Sequence, residues 1–144
     1  MTGGIAVKQI LGLDLGKART GVALSDELRM LAHPLETIES SSAETVARRI
    51  QKIVAERNVD CVVVGLPRQM NGALGLAAEN TQHFIEKLRP LVSCEIVTWD
   101  ERLSTVAAER ALREAGKKTR ETRGIRDQVA AQIILQSYLD RLNA

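Results

Sequence analysis

The chain has 144 residues, with 20 Lys and Arg against 18 Asp and Glu, which gives a formal net charge of +2. Its length is near the commonest for one domain, and its 44% hydrophobic and 26% charged residues are typical of a globular protein, so we expect a single domain over residues 1–144. This composition excludes a coiled coil, a collagen-like chain and a chain that is disordered throughout, and no apolar stretch approaches the roughly 20 residues that span a bilayer.

The first half of the chain predicts strands and one helix. Strands are expected over residues 9–15, 20–25 and 35–38, with a tight turn between the first two. Ser41 and Glu44 have the spacing of a capping box, and the apolar residues behind them recur at helical period, which predicts a helix that ends near Arg57. The wholly apolar run over residues 61–65 predicts a strand that is covered on both faces.

The second half predicts alternating helices and strands. A loop over residues 66–75 is followed by a helix over 77–88, a strand over 94–99, a helix over 105–115 that Ser104 can cap, and a last helix from Asp127 to Leu142. This order predicts an α/β fold, a mixed five-stranded sheet flanked by helices. In such sheets, ligands gather at the carboxyl ends of the strands.

Cysteines and aromatic residues are few. Cys61 and Cys94 both lie inside apolar runs, which favours buried free thiols over a disulfide or a metal site. The aromatic residues are Phe84, Trp99 and Tyr138 alone, which argues against the base-stacking platform that single-strand binders use.

Basic residues are concentrated in one segment, residues 110–126, which carries a net charge of +5 and leaves −3 for the rest of the chain. One interpretation is a solvated loop between two helices, bracketed by Gly116 and Gly124. The other is a surface that attracts a polyanion such as nucleic acid. The basic residues of the segment are Arg110, Arg113, Lys117, Lys118, Arg120, Arg123 and Arg126.

Acidic residues fall at three positions that the predicted sheet brings to one edge. Asp14 ends an apolar strand, where a charged carboxylate costs several kcal/mol unless an arginine, protonation or a divalent cation compensates it. Asp100 and Glu101 end the last strand, and an ion pair with Arg102 or a helix cap is the structural alternative. Asp127 is expected in the first turn of the last helix, where the macrodipole favours an acid, but it shares a face with small residues that point inward.

Convergence of these segments would create an oxygen-rich site. Such ligands suit Mg²⁺ or Mn²⁺, and two ions about 4 Å apart could activate a water and stabilise the leaving oxygen in phosphodiester hydrolysis. The sequence has no Cys/His zinc pattern, and His33 and His83 lie away from the acids along the chain.

Four stretches of the sequence resemble, in the same order, the motifs of the YqgF/RuvX family. This family is described as Holliday-junction-resolvase-like and as a pre-16S rRNA nuclease. The departures are mild: the family more often has Thr at position 104 and Lys at position 128. The stretches are GLDLGKARTGVA (12–23), VGLP (64–67) with Asn71-Gly72 and Gly75 behind it, DERLST (100–105), and DQVAA with ILQSYL (127–139).

The resemblance implies an RNase H-like fold, a cytoplasmic location and metal-dependent endonuclease activity, most often in maturation of the 5′ end of pre-16S rRNA. It carries Asp14 and Asp127 over as metal-binding carboxylates, with Asp100 or Glu101 as the third. Adjacent strand residues point to opposite faces, so only one of that pair is expected to face the metal. We favour Asp100, and expect Glu101 to begin the turn and pair with Arg102 or Arg19.

Several other residues of these stretches are candidates for nucleic-acid contact. Lys17 and Arg19 could grip a phosphate or simply neutralise the acids, and Asn71 could contact a sugar-phosphate strand or only form a tight loop. Because the basic segment leads directly into Asp127, the resemblance favours the nucleic-acid interpretation for Lys117, Lys118, Arg120, Arg123 and Arg126.

Other functions stay open at the level of sequence. The protein could resolve Holliday junctions or other branched DNA, or bind nucleic acid without catalysis as a ribosome-assembly factor. A nucleotide binder of the sugar-kinase and actin type is disfavoured, because 144 residues cannot supply the two domains that clamp a nucleotide. Expected partners are nucleic acid and precursor ribosomal particles, with no membrane, in a monomer or homodimer.

Overall fold

Five strands form one mixed sheet in a computed structural model that describes residues 8–68, 71–106, 108 and 120–144, with the backbone alone for 120–124. The strands are β1 (Gln9–Leu15), β2 (Arg19–Ser25), β3 (Ala32–Glu39), β4 (Val59–Leu66) and β5 (Glu95–Asp100). Their order across the sheet is β3-β2-β1-β4-β5, in which β2 is antiparallel to β1 and β3, while β4 is parallel to β1 and β5. The predicted mixed five-stranded sheet is therefore confirmed.

Three long helices flank the sheet in the described part of the chain: α1 (Ala43–Arg57), α2 (Leu76–Leu88) and α3 (Arg120–Leu142). Short 3-10 turns cover Arg89–Leu91 and Glu101–Leu103. The helix predicted over 105–115 falls mostly outside the described residues, although Val106 N–H does donate to Ser104 Oγ at 3.3 Å. No helix in the described ranges is long and apolar enough to cross a membrane.

Two helix starts differ from the sequence prediction. The N-cap of α1 is Ser42, whose hydroxyl accepts from the Thr45 N–H at 3.2 Å, so the capping box predicted at Ser41 is wrong by one residue. Helix α3 begins at Arg120 rather than at Asp127, so residues 120–126 are helical and not a loop. A single glycine inside a helix, here Gly124, costs only about 1 kcal/mol. Helix α3 as a whole packs along β1, β2 and β3.

The sheet separates two apolar cores. The face under α1 and α2 buries Leu11, Leu13 and Phe84, among others. The face under α3 buries Ile10, Leu135 and further residues of α3. Period-two alternation along β1 therefore sends odd-numbered side chains toward α1 and α2 and even-numbered ones toward α3.

The cysteines are free thiols, as predicted. Cys61 is buried and Cys94 is partly buried. Burial raises the pKa of the Cys61 thiol to about 11, with a smaller contribution from the negative charge of Glu95. At neutral pH this thiol is therefore protonated and unreactive.

Candidate functional site

Asp14 is the first of three carboxylates at the carboxyl edge of the sheet. It lies at the end of β1 and is only 8% exposed. Ile10 packs in the core under α3, and a Cβ built on Gly12 would meet Leu135 of α3 at 2.7 Å. Because Asp14 follows Gly12 by two residues on the same strand, its carboxylate is on the α3 side of the sheet.

Asp127 reaches the same edge from α3. Its Oδ2 accepts from Arg19 Nε at 2.7 Å. Gly21 is the residue paired with Asp14 across the β1–β2 ladder, and a Cβ built on Gly21 would overlap the carbonyl oxygen of Asp127. Helix α3 therefore sits directly on the strand beside Asp14, and the glycine is required for this close approach.

The setting of Asp127 corrects one prediction and identifies a partner of Arg19. Asp127 lies about two turns inside α3 rather than in its first turn, so the helix macrodipole does not account for an acid there. Arg19, for which phosphate binding and neutralisation of the acids were both open, neutralises Asp127 in this structure.

Glu101 supplies the third carboxylate on the α3 side. It begins the 3-10 turn after β5 and is 6% exposed. A Cβ built on Gly65 would lie 3.1 Å from Glu101 Oε2 and 2.7 Å from Ile134 Cδ1 of α3. The Glu101 carboxylate thus lies over the end of β4, on the same face of the sheet as Asp14.

Asp100 has different surroundings, and the preference for Asp100 over Glu101 is not supported. Its carboxylate binds Arg102, with Nη2–Oδ2 at 2.7 Å, and Arg68, with Nε–Oδ2 at 3.5 Å. The hydrogen bond from the Arg102 side chain holds the pKa of Asp100 below its usual value. Of the two arginines predicted to pair with Glu101, Arg102 forms an ion pair with Asp100 and Arg19 forms one with Asp127.

The alternation argument for this pair does not apply to Glu101. Strand β5 ends at Asp100, and the chain turns into a 3-10 helix at Glu101, so period-two alternation does not extend to position 101. Trp99, still within the strand, does follow it: its indole N–H donates to Ser137 Oγ of α3 at 2.9 Å.

Carboxylate oxygens from three elements are the donor type that Mg²⁺ and Mn²⁺ prefer. Over the residues that the structure describes, however, no group of three or more Asp, Glu, His or Cys side chains is arranged closely enough to hold a metal ion. The donor chemistry fits a divalent cation, while the Arg19 guanidinium occupies an oxygen of Asp127.

The residues predicted to contact nucleic acid differ in their exposure and in their contacts within the protein. Lys17 is exposed in the β1–β2 turn and Arg126 is partly exposed on α3. Asn71 Oδ1 accepts from the Ala73 N–H at 2.9 Å, which is the tight-loop alternative. Lys117 and Lys118 lie outside the described residues. Only the backbone is described for Arg120 and Arg123.

Arg68 is a residue at this edge that the sequence interpretation passed over. It lies two residues after the end of β4, contacts Asp100, and donates from Nη1 to the carbonyl oxygen of Gly72 at 2.9 Å. The sequence did contain a signal for this contact. A basic residue comes shortly after a predicted buried strand, and the neighbouring strand ends in an acid.

Comparison with known proteins agrees with the resemblance seen in the sequence. A family model described as "RuvX: Holliday junction resolvase" matches residues 8–141. A protein of Geobacillus kaustophilus is 48% identical over 132 residues, covering 90% of this chain and 96% of its own. A protein of Bacillus cytotoxicus is 45% identical over 134 residues, covering 92% and 98%. Both bear the name "Putative pre-16S rRNA nuclease".

Solved structures share the architecture at low sequence identity. Thermus thermophilus RuvC in complex with a Holliday junction substrate has a TM-score of 0.58 at 14% identity, over 95% of this chain and 96% of that one. Fowlpox virus resolvase in complex with Holliday junction DNA has a TM-score of 0.54 at 13% identity, over 94% and 99%. These likenesses confirm the RNase H-like fold. Since the family model covers nearly the whole chain and the relatives are close to half identical, the protein is a member of the RuvX family.

Proposed function

We propose that this protein is a divalent-metal-dependent endonuclease that hydrolyses phosphodiester bonds in structured RNA, and that it matures the 5′ end of pre-16S rRNA. The names of its relatives support the nuclease activity and the RNA substrate. The observation that carries the proposal is the placement of two buried carboxylates, Asp14 and Glu101, with Asp127 on one face of one sheet edge.

Asp14, Glu101 and Asp127 are the residues that would hold the metal. A divalent cation bound there would make a nucleophile from water at neutral pH and stabilise the leaving oxygen. Burial of Asp14 and Glu101 matches this role, because carboxylates that are removed from water gain most from a compensating cation.

Arg19 has two roles in this proposal. Without a cation it balances the charge of Asp127 through its 2.7 Å ion pair. With a cation bound, Asp127 would be one of the residues that hold it, and Arg19 would then be available to bind a phosphate oxygen of the substrate. An arginine suits this exchange, since its planar fork matches carboxylate and phosphate alike.

The substrate would follow the basic residues around the same edge. Lys17 in the β1–β2 turn and Arg126 on α3 flank the carboxylates on the chain, and the basic segment that ends at Arg126 adds long-range attraction. Precursor ribosomal particles are the partner that this substrate implies.

The test compares Asp14→Asn with Asp140→Asn, a matched loss of charge at an exposed position near the end of α3. Each is incubated with precursor 16S rRNA, single-stranded RNA, duplex RNA and branched DNA, with Mg²⁺ or Mn²⁺ and with chelator. We expect chelator-sensitive cleavage of precursor rRNA by wild type and by Asp140→Asn. Asp14→Asn should not cleave the RNA but should still bind it, because the substitution removes a ligand of the metal and not a contact with the RNA.

Two results would contradict the proposal. Full activity in Asp14→Asn would exclude this carboxylate mechanism. Cleavage of branched DNA in preference to precursor rRNA would favour the Holliday junction activity in the description of the family model.

A further inference from the structure

A cavity of about 600 Å³ opens on the face of the sheet opposite the three carboxylates. It lies at the end of β1, between the β1–β2 turn and the first turns of α1 and α2. This volume is within the range of about 300–1,000 Å³ that is typical of small-ligand sites. No role in the proposed cleavage accounts for it.

The cavity combines an apolar wall with a positive, donor-rich rim. Leu15, Val46 and Phe84 supply apolar surface, while Lys17 and His83 are the ionisable residues among those that line it. Acidic side chains do not line it among the described residues. The occupant that this chemistry fits has a flat or apolar part joined to an anion.

Thr20 adds a polar side chain to the cavity wall. It is 1% exposed and lines the cavity. A ligand group that forms a hydrogen bond with the Thr20 hydroxyl would make it away from bulk water.

The first turn of α2 contributes further donors. Its N-cap is Gly75, which makes no side-chain hydrogen bond to the helix, and Leu76 and Ala77 of that turn line the cavity. Backbone N–H groups at an open helix start favour an anion, beside the charge of Lys17.

The cavity and the carboxylates meet at the β1–β2 turn. Leu15 and Thr20 bracket this turn and face the cavity, whereas Asp14 and Arg19, each one residue away, belong to the α3 side. A strand that crosses this edge can therefore place one phosphate at the carboxylates and a neighbouring nucleotide in the cavity.

We propose that the cavity binds one unpaired nucleotide of the substrate strand, with its base against the apolar wall of Leu15, Val46 and Phe84 and its phosphate near Lys17 and the start of α2. This inference rests on the proposed nuclease function. It predicts that the enzyme selects RNA with an unpaired nucleotide beside the cleaved bond.

The test measures binding, with Asp14→Asn protein in the presence of chelator so that RNA stays intact. Probes are a labelled RNA hairpin with one bulged nucleotide, the same hairpin fully paired, adenosine 5′-monophosphate, adenosine and inorganic phosphate. Ala77→Trp fills the cavity, and Gln82→Trp puts the same side chain at an exposed position of α2 that does not line it. Thr20→Val removes only the hydroxyl, and thermal unfolding checks that each variant is folded.

We expect the bulged hairpin to bind about tenfold more tightly than the paired one, as one stacked base allows. Ala77→Trp should abolish that preference, Gln82→Trp should keep it, and Thr20→Val should weaken it roughly two- to tenfold. Adenosine 5′-monophosphate should bind more tightly than adenosine or phosphate.

Equal preference in Ala77→Trp and Gln82→Trp would overturn the inference. So would an Ala77→Trp effect on adenosine 5′-monophosphate alone, which would identify a site for free nucleotides. Because cleavage is not measured, these outcomes are independent of whether Asp14 is needed for catalysis.

Discussion

Asp100 and Glu101 show how two adjacent acids acquire different roles. Asp100 is the last strand residue and receives four hydrogen bonds from Arg102. Glu101 is the first residue of a turn, is almost fully buried, and lies over Gly65. Glu101 is the stronger candidate for a metal ligand because it is buried on the face of the sheet that carries Asp14.

Exchange of each acid for its amide separates these roles. Glu101→Gln should weaken Mg²⁺ or Mn²⁺ binding by at least the roughly 10- to 100-fold that loss of an outer-sphere partner costs, and cleavage should fall with it. Asp100→Asn should keep metal binding and cleavage, and lose at most about 1 kcal/mol of stability. Isothermal titration with the metal and a cleavage assay measure both.

The reverse pattern would identify Asp100, and not Glu101, as the metal ligand. Metal binding that survives in Glu101→Gln and is lost in Asp100→Asn would show that the arginines release Asp100 on binding.

At the scale of elements, the sequence predicted strands better than helix starts. Apolar β-branched runs identify a buried strand such as β4 directly, since few other structures accommodate them. The start of α3 was missed because Gly116 and Gly124, among many charges, favour a loop locally, and only packing against the sheet shows that Gly124 is tolerated in a helix.

The sequence predicted only part of the candidate site. The predicted sheet and the inward-facing small residues of the last helix placed Asp14 and Asp127 at one edge, and the contacts of Gly21 and Arg19 with Asp127 agree with this. The choice between Asp100 and Glu101 depended on where β5 ends, and strand ends are set by tertiary contacts that local sequence does not encode.

The seating of α3 on β2 depends on Gly21. Gly21→Ala forces a methyl group into the Asp127 carbonyl oxygen, so we expect overpacking to cost roughly 1–3 kcal/mol or more of unfolding free energy. Asp127→Asn is the control, since it weakens the ion pair with Arg19 without moving the backbone, at about 1 kcal/mol. Chemical denaturation of both variants measures the difference. Equal, small losses would mean that α3 adjusts freely over β2.

At the scale of the whole molecule, the sheet divides two kinds of chemistry between its faces. The α3 face gathers acids, and the opposite face carries the cavity with Lys17 and His83 at its rim. Both open at the carboxyl end of β1, where the parallel strands of the sheet also end. One nucleic-acid strand can therefore contact both.

Charge distribution predicts salt-dependent binding. For Asp14→Asn protein and a labelled single-stranded RNA, the plot of log binding constant against log salt should be steep, and Lys17→Ala should reduce its slope by about 1. Lys8→Ala removes an equivalent exposed charge at the amino end of β1, at the far edge of the sheet, and should leave the slope unchanged. A slope that responds equally to both lysines would show that binding does not centre on the carboxyl edge.

The position of Trp99 has a practical consequence. It is the only tryptophan of the chain, stands immediately before Asp100, and is anchored to α3 by Ser137 and by an edge contact with Tyr138, whose ring centroid is 5.5 Å away. Indole emission therefore reports on the junction between the strand leading to Glu101 and the helix that bears Asp127. Trp99 fluorescence should therefore respond to binding of a cation at the carboxylates and to movement of α3.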